Sequence, residues 1–509
     1  MLLILYHITA LVAFGFAANY FVHMFQLNGY HRDGHMRWHN DVLGSIAAKM
    51  TFAFAAFVLM LFPFEATMAI SLVLNVATIL FFLPKPAKKP LVYTARIKRL
   101  FVTIGLIYFV LVAVSLIVPY LHFASALGFV LVNFVVLVSD IINSPVEKAI
   151  KQRFINEAKK ILASRKNLTV IGITGSYGKT SCKYFLTKLL SPKFNVLMTP
   201  ASYNTPMGVV KTVREQLKNS HEIFICEMGA KNVGDIKELC DIVHPTHGLI
   251  SSVGPQHLES FKTLENVVKT KFELCDAITD GKIYLNYDNE LIRNVVTDKN
   301  KVTFGCEFDN VNLRASNISL SERGTDFDVT YNGKTIHFST KLLGKHNVQN
   351  LAGCIAIALD IGVDANDLVL AVKRLESVPH RLQMIDGGSI TIIDDAFNAN
   401  PSGTKAALEV LGSFDGTKII VTPGMIELGE KQSELNREFG VNCTKVCDYI
   451  FLVGGRIADD VYDGVISTDF NKEKLLRFDK VEEAVEYARI LQTITKKFVL
   501  LENDLPDNY

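Results

Sequence analysis

Cysteine is absent from the first 181 residues of this 509-residue chain, and all eight cysteines fall after residue 180. No C-x-x-C pair occurs, the nearest two being Cys443 and Cys447, which excludes a zinc ribbon and a disulfide framework and points to a reducing compartment. Charge of one sign is also missing: 53 Lys and Arg against 51 Asp and Glu leave a net charge of +2. With one tryptophan and no stretch that interleaves basic and aromatic residues, nucleic-acid binding has no footprint. There is no internal repeat and no low-complexity tract. The first apolar run lacks a basic leader and a small-residue cleavage site, so it reads as retained rather than removed as a signal peptide.

Apolar residues, by contrast, are abundant. The hydrophobic share of 49% and mean hydropathy of +0.24 are high for a soluble protein, and the excess lies at the front. Apolar stretches cover 2–24, 45–64, 66–83, 100–119 and 122–142, each near the ~20 residues that cross a bilayer, so residues 1–145 are expected to form about five transmembrane helices. Basic residues test the count, because Lys and Arg in short loops stay inside. Lys85, Lys88, Lys89, Arg96, Lys98 and Arg99 follow the third stretch, and Lys148, Lys151, Arg153, Lys159, Lys160 and Arg165 follow the fifth. The joints at Phe64-Glu65 and Pro119-Tyr120 carry none. Alternation then makes the chain an integral membrane protein whose remainder faces the cytoplasm. Residues 146–167, with Ile150, Phe154, Ile155, Ala158 and Ile161 among basic side chains, are expected to be an amphipathic linker helix on the inner leaflet. In the loop after the first stretch, His31, His35 and His39 have metal-ligand spacing, but Gly34 weakens the helix such a site needs. With Trp38 and Arg37 the segment reads better as an anchor at headgroup level.

The sharpest motif is Val170-Ile171-Gly172-Ile173-Thr174-Gly175-Ser176-Tyr177-Gly178-Lys179-Thr180-Ser181. An apolar run opens into a glycine-punctuated turn and a Lys-Thr pair, in the form T-G-x-x-G-K-T-S. Glycines let successive backbone N–H groups point at phosphate oxygens, lysine adds a mobile positive charge, and the threonine hydroxyl suits Mg²⁺. Gly175, Ser176, Gly178, Lys179, Thr180 and Ser181 are therefore expected to bind ATP.

From 168 onward strand-like runs (169–173, 223–226, 248–251, 282–286) alternate with helical patterns such as 263–278 and 347–361. A second alternation begins near Arg381, with strands at 390–393, 418–422, 449–453 and 498–501. This predicts an α/β architecture with mostly parallel sheets: a P-loop domain over 168–378 and a Rossmann-like domain over 379–509.

Further motifs stand in order along this region: Cys226-Glu227-Met228-Gly229-Ala230, Gly254-Pro255-Gln256-His257-Leu258-Glu259, Lys269-Thr270-Lys271, Leu285-Asn286-Tyr287-Asp288, 344–350 (GKHNVQN) and 394–401 (DDAFNANP). Together they resemble the Mur ligase family, the ATP-dependent amide-forming enzymes of peptidoglycan synthesis. With Met425-Ile426-Glu427-Leu428-Gly429-Glu430, they look most like the branch that adds D-alanyl-D-alanine to a UDP-muramoyl tripeptide.

The resemblance implies roles. Lys179 would hold the β- and γ-phosphates, and Thr180, Glu227 and His257 would hold Mg²⁺, two ions in all. A lysine at the place of Lys271 is carbamylated in the family and helps hold the second ion. An unmodified ammonium beside Mg²⁺ would be repelled, so either that modification or another orientation is expected. Asn347 and Asn350 would lie near the adenine, although Asn347 at a helix start is also a plausible cap. Arg381 would reach the phosphates and Asp395 or its neighbour the ribose. Asn398 and Asn400 would face the incoming amine, although their segment is also good turn chemistry. Asn204, in the 202–208 loop, takes the place of a muramoyl-peptide contact or of a structural turn.

Three departures accompany the resemblance: membrane helices stand where the family has its UDP-sugar domain, Thr422-Pro423-Gly424-Met425 replaces a Gly-Asp-Met form, and 500–506 (LLENDLP) replaces a Lys-Gly-Ser segment. The expectation is a membrane-anchored ligase joining an amino acid or D-alanyl-D-alanine to a muramoyl-peptide or other carboxylate acceptor through an acyl phosphate, with membrane lipid as a partner. Alternatives are a Mur-type ligase acting on a lipid-linked precursor or making poly-γ-glutamate, and, in another class, a transporter or sensor with a nucleotide-binding domain.

Overall fold

In a computed structural model, all residues are described except Met1, Pro63, 85–88, His122, His257, 397–398, Glu427 and 504–509. Lys85 and Lys88 of the basic loop thus lie outside the described residues. The chain divides into two units, one ending at Arg153 and one running from Phe154 to Leu505.

The first unit is helical: α1 (Leu2–Leu27), α2 (Arg32–Asp41), α3 (Leu43–Met60), α4 (Glu65–Phe82), α5 (Ala95–Ile117), α6 (Ala124–Val130) and most of α7 (Val132–Ala163). Four of these, α1, α3, α4 and α5, are long and apolar enough to cross a membrane; α6 and α7, bent by 88°, make a fifth if they count as one span. Buried aromatics such as Phe21, Phe25 and Tyr108 share the interior with small residues. Small residues (Ala10, Ala13 and Ala17 of α1; Ala53 and Ala56 of α3) are buried, while Val102, Leu106 and Phe109 of α5 are exposed. Small residues let helix backbones approach where apolar surroundings supply no hydrophobic drive. Charges are paired: Arg32 and Arg96 reach Asp140 at 2.7 and 3.1 Å, and Arg99 reaches Glu147 at 2.7 Å.

Residues 32–41 are helical, not a loop. Gly34 costs about 1 kcal/mol there, but His35 is buried with its Nε2 2.7 Å from Asn133 Oδ1 and its ring stacked on Trp38. His35 is thus committed to packing. Among the described residues no group of three or more His, Cys, Asp or Glu side chains is placed to hold a metal ion.

In the second unit, β1 (Thr169–Thr174), α8 (Lys179–Leu190), β2 (Val196–Met198), α9 (Pro206–Gln216), β3 (Ile223–Glu227), α10 (Asp235–Val243), β4 (His247–Ile250), α11 (Leu258–Phe261), α12 (Leu264–Ala277), β5 (Ile283–Asn286), α13 (Glu290–Arg293) and β6 (Lys301–Gly305) lead into β7 (Leu313–Ser321), β8 (Gly324–Tyr331) and β9 (Lys334–Thr340). The nine strands form one sheet in the order β2-β3-β1-β4-β5-β6-β7-β8-β9, parallel as far as β7 and antiparallel beyond it. Next come α14 (Lys345–Ile361), α15 (Ala365–Lys373), β10 (Gln383–Asp386), β11 (Ile390–Asp395), α16 (Pro401–Gly412), β12 (Thr417–Thr422), α17 (Gln432–Thr444), β13 (Tyr449–Val453), α18 (Arg456–Ile466), β14 (Leu475–Phe478), α19 (Val481–Ile490) and β15 (Lys497–Glu502). Their sheet runs β10-β11-β15-β12-β13-β14 and is parallel except at β10. The alternation read from the sequence corresponds to these strands, but it passed over 301–340. The missed signal is Asn332-Gly333 between two alternating runs. Their φ angles of +50° and +74° suit the two-residue turn that matches strand twist.

The linker expectation needs correction. α7 continues through Pro145 without a break, so 146–163 is not a separate element. Beyond residue 153, Ile155, Ala158 and Leu162 are buried with Val209, Val210 and Val213 of α9, and the Arg214 guanidinium lies 4.1 Å above the Phe154 ring. The apolar face assigned to the leaflet is spent in the protein core.

Candidate active site

Strand β1 ends at Thr174, whose hydroxyl donates to Met228 O at 2.9 Å, and the chain then turns through Gly175 (φ +154°) and Gly178 (φ +79°). A Cβ on Gly178 would stand 2.5 Å from Asn350 Oδ1, and one on Gly175 would meet Ser251 Oγ. The loop is tied to the segment after β4: Ser176 N donates to Ser252 O at 2.6 Å, Ser176 Oγ both donates to Gly254 O and accepts from Gly254 N at 3.0 Å, and Ser251 Oγ donates to Tyr177 O at 2.5 Å. Lys179, Thr180 and Ser181 open α8, where first-turn N–H groups have no intrahelical acceptor and so suit an anion. Lys179 Nζ donates to Gly175 O and Ser176 O at 2.8 and 3.0 Å. Burial brings its ammonium down to about 8 against the attraction of Glu227. Gly178→Ala is expected to cost on the order of 1–3 kcal/mol. The forced left-handed backbone and the Asn350 contact should appear in calorimetry as a lowered melting temperature, and an unchanged one would contradict this account.

Glu227 ends β3 beside Ile173 of β1 and is 1% exposed. Its Oε1 accepts from Thr180 Oγ1 at 3.1 Å and from Asn204 Nδ2 at 3.2 Å. Its Oε2 lies 2.9 Å from Lys183 Nζ, yet no directed hydrogen bond reaches that oxygen from the described residues. Lys183 is itself 2% exposed and donates to Ala201 O at 2.5 Å. Sequence reasoning missed this lysine, one helical turn after Lys179. Lys271, on α12, is also 2% exposed, with Nζ 5.9 Å from the Phe261 ring centroid; burial and then the charge of Lys179 bring it down to about 7. The fold thus gathers Lys179, Thr180, Glu227 and Lys271. His257 lies outside the described residues. Thr180 and Glu227 supply the oxygen donors that Mg²⁺ prefers, and Oε2, which among the described residues meets only the Lys183 ammonium, fits a cation ligand.

A cleft of about 410 Å³ opens beside this cluster. It is lined by Tyr177, Gly178 and Ser181, by Ser251–Val253 and by Asn286, Asp288 and Asn289 after β4 and β5, by the start of α14, and by Arg381, Asp395 and Asn400. Asn347 and Asn350 both line it. The Asn347 amide donates to Leu343 O at 2.7 Å, and Gly344, not Asn347, caps α14. Asn350 Oδ1 lies against Gly178 and accepts from Cys182 Sγ at 3.4 Å, so it props the glycine loop. Asp288, to which no role was assigned, accepts from the backbone N–H groups of Cys306, Glu307 and Phe308 and from Gln349 Nε2 at 2.7–2.8 Å, fixing that wall of the cleft. His346, facing Arg381, is held at about 4 by burial and by that positive charge.

On the far wall, Asp395 Oδ1 accepts from Leu382 N at 3.2 Å, and Asn400 Oδ1 accepts from Gly403 N at 2.9 Å, capping α16. The Asn400 side-chain oxygen therefore serves the turn that the sequence also allowed. Asn398 lies outside the described residues, and Asn204 turns its amide to Glu227. Asp395 is in register with Glu502 across β11 and β15. Burial pushes Asp395 up to about 6 and Glu502 well above the usual carboxylate range, each raised further by neighbouring negative charge. A carboxyl raised above its unfolded value near 4 favours the fold below that pH, and the benefit is lost as pH rises through its folded value, about 6 for Asp395 and higher than the usual range for Glu502. Glu502→Gln is expected to raise the melting temperature at pH 7.5 and to leave it little changed at pH 5. Equal melting temperatures for variant and wild type at both pH values would refute the assignment.

Residues 173–358 match the Mur ligase middle domain, and residues 380–501 match the Mur ligase glutamate ligase domain. The UDP-N-acetylmuramoyl-tripeptide--D-alanyl-D-alanine ligase of Bacillus subtilis (strain 168) is 29% identical over 323 residues, which is 62% of this chain and 69% of that protein. The ligase of the same name from Haemophilus influenzae is 29% identical over 307 residues, 58% of this chain and 66% of that protein. The chain thus spans about two thirds of the length of these relatives. Among solved structures, MurF from Acinetobacter baumannii superposes with a TM-score of 0.63 at 25% identity, covering 70% of this chain and 77% of that one. The Thermotoga maritima MurF ligase in complex with ADP gives 0.61 at 27%, covering 69% and 80%.

Proposed function

Because the chain belongs to the Mur ligase family, we propose that it is an ATP-dependent ligase of cell-wall precursor synthesis that adds D-alanyl-D-alanine to a muramoyl tripeptide. Residues 168–378 form the nucleotide-binding domain and 379–509 the domain that receives the amine. The observation that carries this reading is the buried Glu227, hydrogen-bonded by Thr180 on one oxygen, with Lys183 Nζ 2.9 Å from the other and the charges of Lys179 and Arg381 acting on it.

An amide does not form from a carboxylate and an amine while oxide is the leaving group. The acceptor carboxylate oxygen attacks the terminal phosphorus of ATP, the bond from that phosphorus to the bridging oxygen breaks, and ADP leaves. The amine nitrogen then attacks the carbonyl carbon, inorganic phosphate departs, and the nitrogen loses its proton. Lys179 and the N–H groups opening α8 hold the phosphates, and Arg381 brings a further positive charge to the cleft between them and the acceptor. Thr180, Glu227, His257 and a carbamylated Lys271 would hold Mg²⁺, which when bound neutralises the phosphates and the developing charge. The Lys271 amine, at about 7, is neutral in part at physiological pH and so suited to react with CO₂.

The helices of the first unit act as a bilayer anchor, with the ligase on the cytoplasmic side. Their exposed apolar surface and small-residue contacts support this. One assay decides the substrates. Full-length protein in detergent is assayed for phosphate release with UDP-linked and lipid-linked muramoyl tripeptide, each with D-alanyl-D-alanine or single amino acids. Release that needs both acceptor and D-alanyl-D-alanine is expected. Release independent of the amine would sink the proposal in favour of a nucleotide-driven transporter or sensor, and release with glutamate alone would favour a poly-γ-glutamate ligase.

A further inference from the structure

On the ligase reading above, we propose that Lys183 is a positioning residue whose ammonium is the built-in counter-cation of Glu227, so that a divalent ion binds there only by taking over that charge. Two charged side chains, 2% and 1% exposed, have been withdrawn from water together. Such a pair is costly to build and often no more stable than an apolar one, so its presence calls for a use. Its bonds are divided unusually. The directed bond of Lys183 goes to Ala201 O, and the directed bonds to Glu227, from Thr180 and Asn204, go to Oε1. Oε2 faces the Lys183 ammonium at 2.9 Å and takes no other donor from the described residues, which leaves room on that oxygen for a ligand while the charge is compensated from the side.

The consequence is a linkage. With Lys183 in place, an incoming divalent ion meets a carboxylate already neutralised and a positive charge beside it, so the ion alone binds weakly. The negative charge of the triphosphate tips the balance, and ion and nucleotide then bind as partners, each strengthening the other by the same factor.

The test uses Mn²⁺ as the probe on the full-length protein in detergent, read by electron paramagnetic resonance and by the gain in melting temperature on adding Mn²⁺. Lys183→Met is expected to bind Mn²⁺ without nucleotide on the order of tenfold or more tightly than wild type, because a unit charge near the ion is gone. Its melting temperature should respond more to Mn²⁺ than that of wild type. Lys183→Arg, which keeps the charge, should match wild type. Lys183→Gln is a second neutral variant, read in the same way if the methionine variant does not fold. Wild-type or weaker Mn²⁺ affinity in the neutral variants overturns the proposal, as does an arginine variant that behaves like them. Failure of wild type to bind Mn²⁺ even with ATP would instead bring down the ligase reading itself.

Discussion

Lys179→Ala is expected to abolish acceptor-dependent phosphate release, lowering turnover by on the order of 10²–10³-fold or more, the scale on which positioned charge stabilisers act. The lysine starts α8, and its ammonium is already inside the glycine turn, bound to the carbonyls of Gly175 and Ser176. Terminal phosphate oxygens carrying charge are better acceptors than those carbonyls, so the side chain has a short path to the substrate. Alanine removes that charge and also leaves the two carbonyls without their donor. Calorimetry of the variant separates the two effects: a small drop in melting temperature with a large loss of turnover assigns the loss to chemistry. Turnover within a few-fold of wild type would remove the phosphate role.

Lys271→Ala is expected to lose most activity, about 10²-fold by the same reasoning, and to regain part of it when formate or acetate is supplied. The side chain is buried within reach of the Lys179 charge, where an ammonium is disfavoured. On the proposed role, the neutral amine would attack the carbon of CO₂, shed a proton and become a carboxylate on a long stem, answering the positive charge of Lys179. A small free carboxylate can take part of that place once the stem is gone. The sign with pH follows from the amine. Below about 7 it is protonated and cannot react, so wild-type turnover should fall as pH drops through about 7 and recover in part with added bicarbonate. An alanine variant as active as wild type would refute this role.

Much of the fold was written in local pattern. The glycine turn after an apolar run, the alternation from 168 onward and four of the five front segments correspond to elements, because each rests on periodicity or turn chemistry that short windows carry; the fifth segment is broken by the 88° bend between α6 and α7. What escaped depended on partners distant in sequence. Lys183 reads as a surface lysine on an amphipathic helix; it is buried only because β3 ends at Glu227, forty-four residues on. The face of 154–162, expected on the inner leaflet, is covered by α9 instead. Gly34 argued against a helix, but Asn133, about a hundred residues away, holds His35 in one. Asn350, expected near the adenine, lines the cleft, and its oxygen also meets Gly178, a glycine 172 residues earlier. The antiparallel strands β7–β9, in contrast, were announced locally by Asn332-Gly333 and were simply passed over.

The paired bonds that fasten Ser176 to Gly254 and Ser252, and Ser251 to Tyr177, have a thermodynamic meaning. A loop already laced at both shoulders has surrendered its backbone freedom during folding, so the arriving nucleotide does not forfeit affinity to freeze it. Cutting one lace, at Ser176 or Ser251, therefore defers that entropic toll to the moment of encounter, where it appears as weaker capture of nucleotide.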